Sequence, residues 1–328
     1  MKGKIVHLTD KQYIKEQLPP SKLFFMHNLS TNFRLFLDIT KSVFKSAVNP
    51  DGNFKFYPRK PKLSDCEILA LTLAAESIGI DSETYLFGKL KKDYHQDFPH
   101  LIHRCNYNRR RKLLGGYLQR LNQSLADEIN IGENVFIVDS IPVPICKIVR
   151  EKSSKICKEN FETAPDKGYS AVNKAWYFGY KLHLVTSANG VFHSMQLSKA
   201  SVHDIHYLND IKHSGLNNCT LIGDKGYLSK TYQTDLFHSA KIELKTPMRN
   251  NQENKQQQHA PVFKRIRKRI ETLFAQLCDQ FMLKRNYAKS VAGLSVRVLN
   301  KIAAITCLQS INKINNKPLN HLKYALAF

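Results

Sequence analysis

Val135-Phe136-Ile137-Val138-Asp139 is an unbroken apolar run that ends on a carboxylate, and Leu221-Ile222-Gly223-Asp224 repeats the pattern later in the chain. A short run with no polar alternation suits a strand buried on both faces, as in a sheet covered by helices. An aspartate after a strand also serves ordinary turn chemistry. Two of them in one sheet mean more. If the two strands are parallel neighbours, Asp139 and Asp224 emerge at the same sheet edge, where like charges repel unless a cation neutralises them. An oxygen-only ligand set favours magnesium or manganese over zinc.

Working outward, Tyr177 to Val185 alternates, with Phe178, Tyr180, Leu182 and Leu184 on one face. Ala188-Asn189-Gly190 supplies a hairpin turn, because Asn-Gly tolerates positive φ. Val191 to Leu197 is then the returning strand. A helix-compatible stretch follows from His203 to Lys212. Ser229 to Ala240 reads as a helix, Ile242 to Lys245 as a short strand, and Pro261 to Arg285 as the strongest helix. In that last helix Phe263, Ile266, Ile270, Leu273, Leu277 and Phe281 recur at intervals of three and four. The order β-β-β-α-β-α-β-α needs antiparallel pairing at the hairpin and parallel pairing across the helical connections. The expected fold class is α/β, a mixed sheet with helices packed on it.

The first 130 residues read as helical. Ser64-Asp65-Cys66-Glu67 is a capping box opening the run from Ile68 to Ile80, and Asp81-Ser82 caps a helix ending near Asp93. A third helix begins near Asn106 with Leu113, Leu114, Tyr117, Leu118 and Leu121 at helical spacing, interrupted by Gly115-Gly116. Between Leu101 and Arg120 stand Arg104, Arg109, Arg110, Arg111, Lys112 and Arg120, with no acid. Two short helices followed by a basic one match a helical DNA-reading element. Tyr107 and Tyr117 either stack on bases or anchor the helix. The expected division is a helical DNA-binding domain over 1–130, a catalytic domain over 131–290 and a helical extension over 291–328.

Composition agrees with a nucleic-acid partner. The 328 residues carry 50 Lys and Arg against 27 acids, a net charge of +23 with a pI near 9.7. Such a surplus calls for a polyanion. Hydrophobic content of 42% excludes global disorder. No signal-type stretch or membrane span is expected, which points to the cytoplasm. The seven cysteines form no CxxC pair and read as reduced thiols.

Glu271 lies at the edge of the apolar stripe of its helix, beside Lys264, Arg267, Phe274 and Cys278. It is either an i,i+4 partner of Arg267 or a third acid for a cation site. Three carboxylates at one sheet edge would make a two-metal phosphodiester centre. Lys181, Lys225, Lys264, Arg267 and Lys268 are then candidate phosphate contacts. His183 reads as an exposed hairpin residue, and Trp176 as packing, strand start or base stacking.

These strings together resemble a bacterial insertion-sequence DDE transposase: Val135 to Pro144, Tyr177-Phe178-Gly179-Tyr180-Lys181-Leu182-His183, Gly223-Asp224-Lys225-Gly226-Tyr227, and Arg267-x-x-x-Glu271. With Lys62 to Glu67 and Phe98-Pro99 through Arg111, the likeness is greatest to the insertion-sequence group nine-eighty-two and spans roughly residues 60 to 290. The tyrosine and lysine that often flank the glutamate in related enzymes are Lys264 and Cys278 here. The resemblance implies a ribonuclease-H-like catalytic fold and Asp139, Asp224 and Glu271 as the triad holding two Mg²⁺ or Mn²⁺ ions. It also implies cleavage at the element's ends, strand transfer into target DNA, and a homodimer or larger assembly on DNA. His203-Asp204 resembles the family pattern after the third strand, in a helix-starting or supporting role. The alternatives are a nuclease of the same fold without end specificity, and a silent DNA-binding derivative.

Overall fold

A computed structural model describes residues 28–247 and 261–326. The Gln256–Gln258 run and the side chain of Phe263 lie outside the described residues.

The apolar run at 135–138 opens strand β1, Val135–Cys146, which continues well past Asp139. It pairs antiparallel with β3, Ala175–Ser187, placing Asp139 opposite Leu184. The outer edge of β3 is shared. Strand β2, Asp166–Ser170, pairs with its first residues, and β4, Phe192–Lys199, with the rest. On the other side, β1 pairs parallel with β5, Cys219–Ile222, which pairs parallel with β6, Ile242–Lys245. The order is therefore β4-β3-β1-β5-β6, with β2 alongside the start of β3. The expected hairpin is present: Gly190 takes φ +78° and its amide donates to the Ser187 carbonyl.

Upstream lie α1 (Leu29–Val43), α2 (Asp65–Ser77), α3 (Glu83–Asp93), α4 (Arg104–Leu113) and α5 (Gly115–Ile129). The Ser64–Glu67 capping box forms in full, and Ser82 caps α3. Gly115-Gly116 does more than weaken a helix. The chain breaks at Leu114 and gives two helices where one was expected. Downstream, α6 (Leu208–Ile211) follows a 3₁₀ turn at Asp204–Tyr207. Helix α7 (Lys230–Ala240) joins β5 to β6, and α8 (Pro261–Asp279) and α9 (Val291–Ile314) follow, with a 3₁₀ turn at Leu322–Leu326 after them.

The sheet is covered on both faces. Ile137, Val143, Leu182 and Leu184 share one core with Ile270, Leu273 and Leu277 of α8, with α9 and with the N-terminal helices. Phe136, Val138, Val185 and Leu221 pack on the other face against Tyr207, Leu208, Ile211 and Leu236. Helix α9 is the axle of the helical layer. It is long and apolar enough to cross a membrane, but 78% of its apolar window is buried inside the fold. Its buried polar groups are matched: Lys301 Nζ meets Glu76 Oε2 at 2.7 Å, Arg297 donates to the Asp81 carbonyl, and Gln309 donates to the Gly190 carbonyl.

Candidate active site

β1 outruns β5. Their ladder ends at the Ile137–Ile222 pair, and the chain after β5 is tied instead to β6 by the Gly223 amide on the Lys245 carbonyl. A crevice therefore opens beside β1 at the level of Asp139, beyond the carboxyl end of β5. This is where open α/β sheets present their functional groups. Asp224 stands at that end as the N-cap of the 3₁₀ turn Lys225–Tyr227, its Oδ1 accepting from the Gly226 amide at 2.8 Å.

Asp139 and Asp224 thus stand together, as parallel neighbouring strands require. The Asp139 carboxyl is pushed up to about 7, chiefly by burial and further by the charges of Asp224 and Asp204. The Ser140 amide and the Arg267 guanidinium pull the other way. The Ser140 amide donates to Asp139 Oδ1 at 2.8 Å. Arg267, on α8 above the sheet edge, brings Nη2 to 3.9 Å from Asp139 Oδ2. Its ion pair therefore goes to Asp139 and not to Glu271.

Glu271 lies one turn further along α8 and is exposed. Among the described residues no three acidic, histidine or cysteine side chains stand close enough to hold a metal jointly. The structure brings together two of the three expected acids, with Arg267 at the position nearest Asp139. Two adjacent, partly desolvated carboxylates fit one hard cation, since Mg²⁺ commonly takes one or two carboxylates and completes its shell with water and phosphate oxygens. They do not by themselves make a two-ion site.

Asp204 is the acid that the sequence placed only in a supporting role. His203 caps its 3₁₀ turn, so the helix-starting reading of that pair holds. Lys181 reaches Asp204 Oδ1 at 2.9 Å and the Val202 carbonyl at 2.8 Å, so its ammonium is engaged within the chain. His183 is buried, not exposed. Burial lowers its pKa to about 4, its Nε2 meets Ser198 Oγ at 2.8 Å, and its ring stacks on Tyr207. It is a neutral core histidine. Trp176 is 61% exposed at the start of β3 and touches Tyr169 edge-on, so it is not a packing residue.

The basic stretch on α4 divides into two sets. Arg110 and Arg111 belong to the stretch expected to bind DNA, but they close internal ion pairs: Arg110 Nη2 to Asp65 Oδ1 at 2.6 Å, and Arg111 Nη2 to Glu83 Oε1 at 2.7 Å. Arg111 is 6% exposed. Packing of α4 on α2 and α3 has turned these two inward. Arg104, Arg109, Lys112 and Arg120 remain on the surface. Tyr107 is buried with its hydroxyl on Thr72, and Tyr117 stacks on Phe54 at 3.8 Å, so both anchor the helical layer. Lys225, next to Asp224, is exposed, as are Lys264 and Lys268 on α8.

A family model described as the transposase DDE domain matches residues 130–307, from just ahead of β1 into α9. The chain belongs to the DDE transposase family. The mixed sheet with helices on both faces is consistent with a ribonuclease-H-like DDE domain. The match reaches the family and not the insertion-sequence group nine-eighty-two. No curated protein and no solved structure matches the chain. The matched span contains Asp139, Asp204, Asp224 and Glu271.

Proposed function

We propose that this protein binds the ends of its own insertion sequence, cleaves the DNA there and joins the freed 3′-hydroxyls to target DNA, in the cytoplasm of a bacterium. The supporting observation is the pair Asp139–Asp224 at one sheet edge under α8. Asp139, Asp224 and Glu271 are the proposed ligands of two Mg²⁺ or Mn²⁺ ions. Bound there, such ions acidify an attacking water or 3′-hydroxyl and stabilise the leaving oxygen.

The chain's own groups set the stage. Asp139 and Asp224 hold their carboxylates in a crevice that only partly admits water. Glu271, one helical turn or about 5.4 Å beyond Arg267 on α8, is the proposed third ligand. Arg267, with Lys225, Lys264 and Lys268, is the proposed set of contacts to the phosphates of the bound strand. Arg104, Arg109 and Lys112 on the outer side of α4 hold the duplex nonspecifically. Bringing two ends together requires at least two copies of the chain.

The test is strand joining. Precut DNA ends from the flanks of the gene are incubated with supercoiled plasmid, Mg²⁺ and either wild type or Asp224→Asn. Joined products with wild type, and none with a variant that still binds the ends, support the reading. Nicking of any DNA without joining would replace it by a general nuclease. Salt-sensitive end binding with no turnover in any metal would replace it by a DNA-binding derivative.

A further inference from the structure

The crevice holds a third carboxylate besides the aspartate pair, and it is not Glu271. Asp204 turns Oδ1 to Lys181, while its Oδ2 faces the Asp224 turn: a Cβ placed on Gly226 would lie 3.0 Å from Asp224 Oδ1 and 3.8 Å from Asp204 Oδ2. A side chain at 226 would crowd the Asp224 carboxylate. A second feature belongs to the same turn, since Tyr227 closes the 3₁₀ turn that Asp224 caps. Tyr227 is fully buried, and among the described residues its hydroxyl has no hydrogen-bond partner. Burial and then the charges of Asp204, Asp139 and Asp224 hold this phenol in its protonated form. A buried hydroxyl without a partner is costly, and the charges that act on this one are the three carboxylates of the same site.

We propose that Asp204 is the third carboxylate of the cation site. It acts through the hydration shell of the ion held by Asp139 and Asp224, and the Tyr227 hydroxyl bonds into the same shell. Asp204 is then a positioning residue for the ion in the protein without DNA. Lys181 occupies its other oxygen and offsets part of its charge. Such outer partners of metal sites commonly change affinity by about 10–100-fold. The inference rests on the metal reading of the aspartate pair but can fail independently of it.

The experiment is Mn²⁺ binding to the full-length protein without DNA, followed by electron paramagnetic resonance. Four single variants are compared with wild type: Asp139→Asn, Asp204→Asn, Glu271→Gln and Lys181→Met. Asp204→Asn should weaken Mn²⁺ by about 10-fold or more, and Glu271→Gln by less than about 3-fold. Lys181→Met separates a role at the ion from a merely structural one. Both Asp204→Asn and Lys181→Met break the same ion pair, so a structural role weakens Mn²⁺ in both. A role at the ion gives opposite signs, because removing the lysine leaves the Asp204 charge free to attract the cation. Loss of binding in Asp139→Asn with no change in Asp204→Asn, or equal loss in Asp204→Asn and Lys181→Met, overturns the inference and leaves the metal reading standing. No Mn²⁺ binding to wild type overturns both. If Asp204→Asn does not fold, manganese-soaked crystals of wild type give the answer: an ion one water away from Asp204 supports the inference, and an ion remote from Asp204 overturns it.

Discussion

Replacing Asp139 by asparagine should make the metal-free protein more stable at pH 8, not less. Burial, with Asp224 and Asp204 adding to it, holds the Asp139 carboxyl near 7 against an ordinary 3.8. At about 1.4 kcal/mol per pH unit, that gap makes the ionised form cost about 4 kcal/mol in the folded chain. The side chain keeps 19% of its exposure, so water screens part of the cost and about 2–4 kcal/mol remains. The folded value lies above the unfolded one. Stability therefore falls as pH rises from about 4 through 7, and the full penalty is present above 7. Asparagine has nearly the same shape and no charge to desolvate. With an unfolding entropy of about 2.1 cal/mol/K per residue, 1 kcal/mol shifts the Tm of this chain by about 1.5 °C. Calorimetry in EDTA should show Asp139→Asn melting about 3–6 °C above wild type at pH 8, and only about a third of that gain at pH 5. Millimolar Mg²⁺ or Mn²⁺ should raise the wild-type Tm and leave the variant unmoved, since a ligand stabilises only the state that binds it. An Asp139→Asn variant that melts below wild type in EDTA at pH 8, or gains equally at both pH values, would refute the reasoning.

Three further outcomes follow from the packing. Glu76→Ala leaves Lys301, 2% exposed, buried without its partner at 2.7 Å. Urea unfolding should show a loss of about 3–5 kcal/mol, largely recovered by Glu76→Leu with Lys301→Met, whereas a loss under about 1 kcal/mol contradicts the buried pair. Arg109→Ala should lower the salt slope of DNA binding by about 1 with stability unchanged, while Arg111→Ala should destabilise the fold by about 3 kcal/mol because Glu83 loses its buried partner; the reverse pattern contradicts the division of α4. Gly179→Ala puts a methyl 2.3 Å from the Val143 carbonyl oxygen, so β1 and β3 must separate. We expect a loss of about 3 kcal/mol or more and weakened Mn²⁺ binding, because the same strand pair carries Asp139.

Much of this fold is written locally. The two apolar runs ending in Asp139 and Asp224 became parallel neighbours because both lack a polar face and must be buried twice over. Ile242–Lys245 falls where the sequence places it, and the Ser64–Glu67 box and the Asn189-Gly190 turn are signals carried by adjacent residues. What was hidden is set by distant partners. β2, Asp-Lys-Gly-Tyr-Ser, has no apolar alternation and exists because β3 is long enough to offer it an edge. Helix α9 carries Arg297, Lys301 and Gln309 inside the core, and only their partners on α2, the turn after it and the β-hairpin make that burial readable. Arg110 and Arg111 read as a DNA-facing run because sequence shows charge and not direction. Asp204 was visible as a residue, but its place beside Asp224 depends on a turn closing over the sheet edge. Glu271 is at the edge of its helix stripe as expected, and the turn of α8 over the crevice presents Arg267 instead.

The most direct measurement uses purified protein and end-labelled DNA from both flanks of its own gene, with Mg²⁺, Mn²⁺ or EDTA, followed by mapping of the 3′ ends. Wild type should nick both flanks at one fixed position only when metal is present, and Asp139→Asn and Asp224→Asn should bind the same DNA without cutting it. Cleavage that persists in EDTA or in either variant would contradict the account.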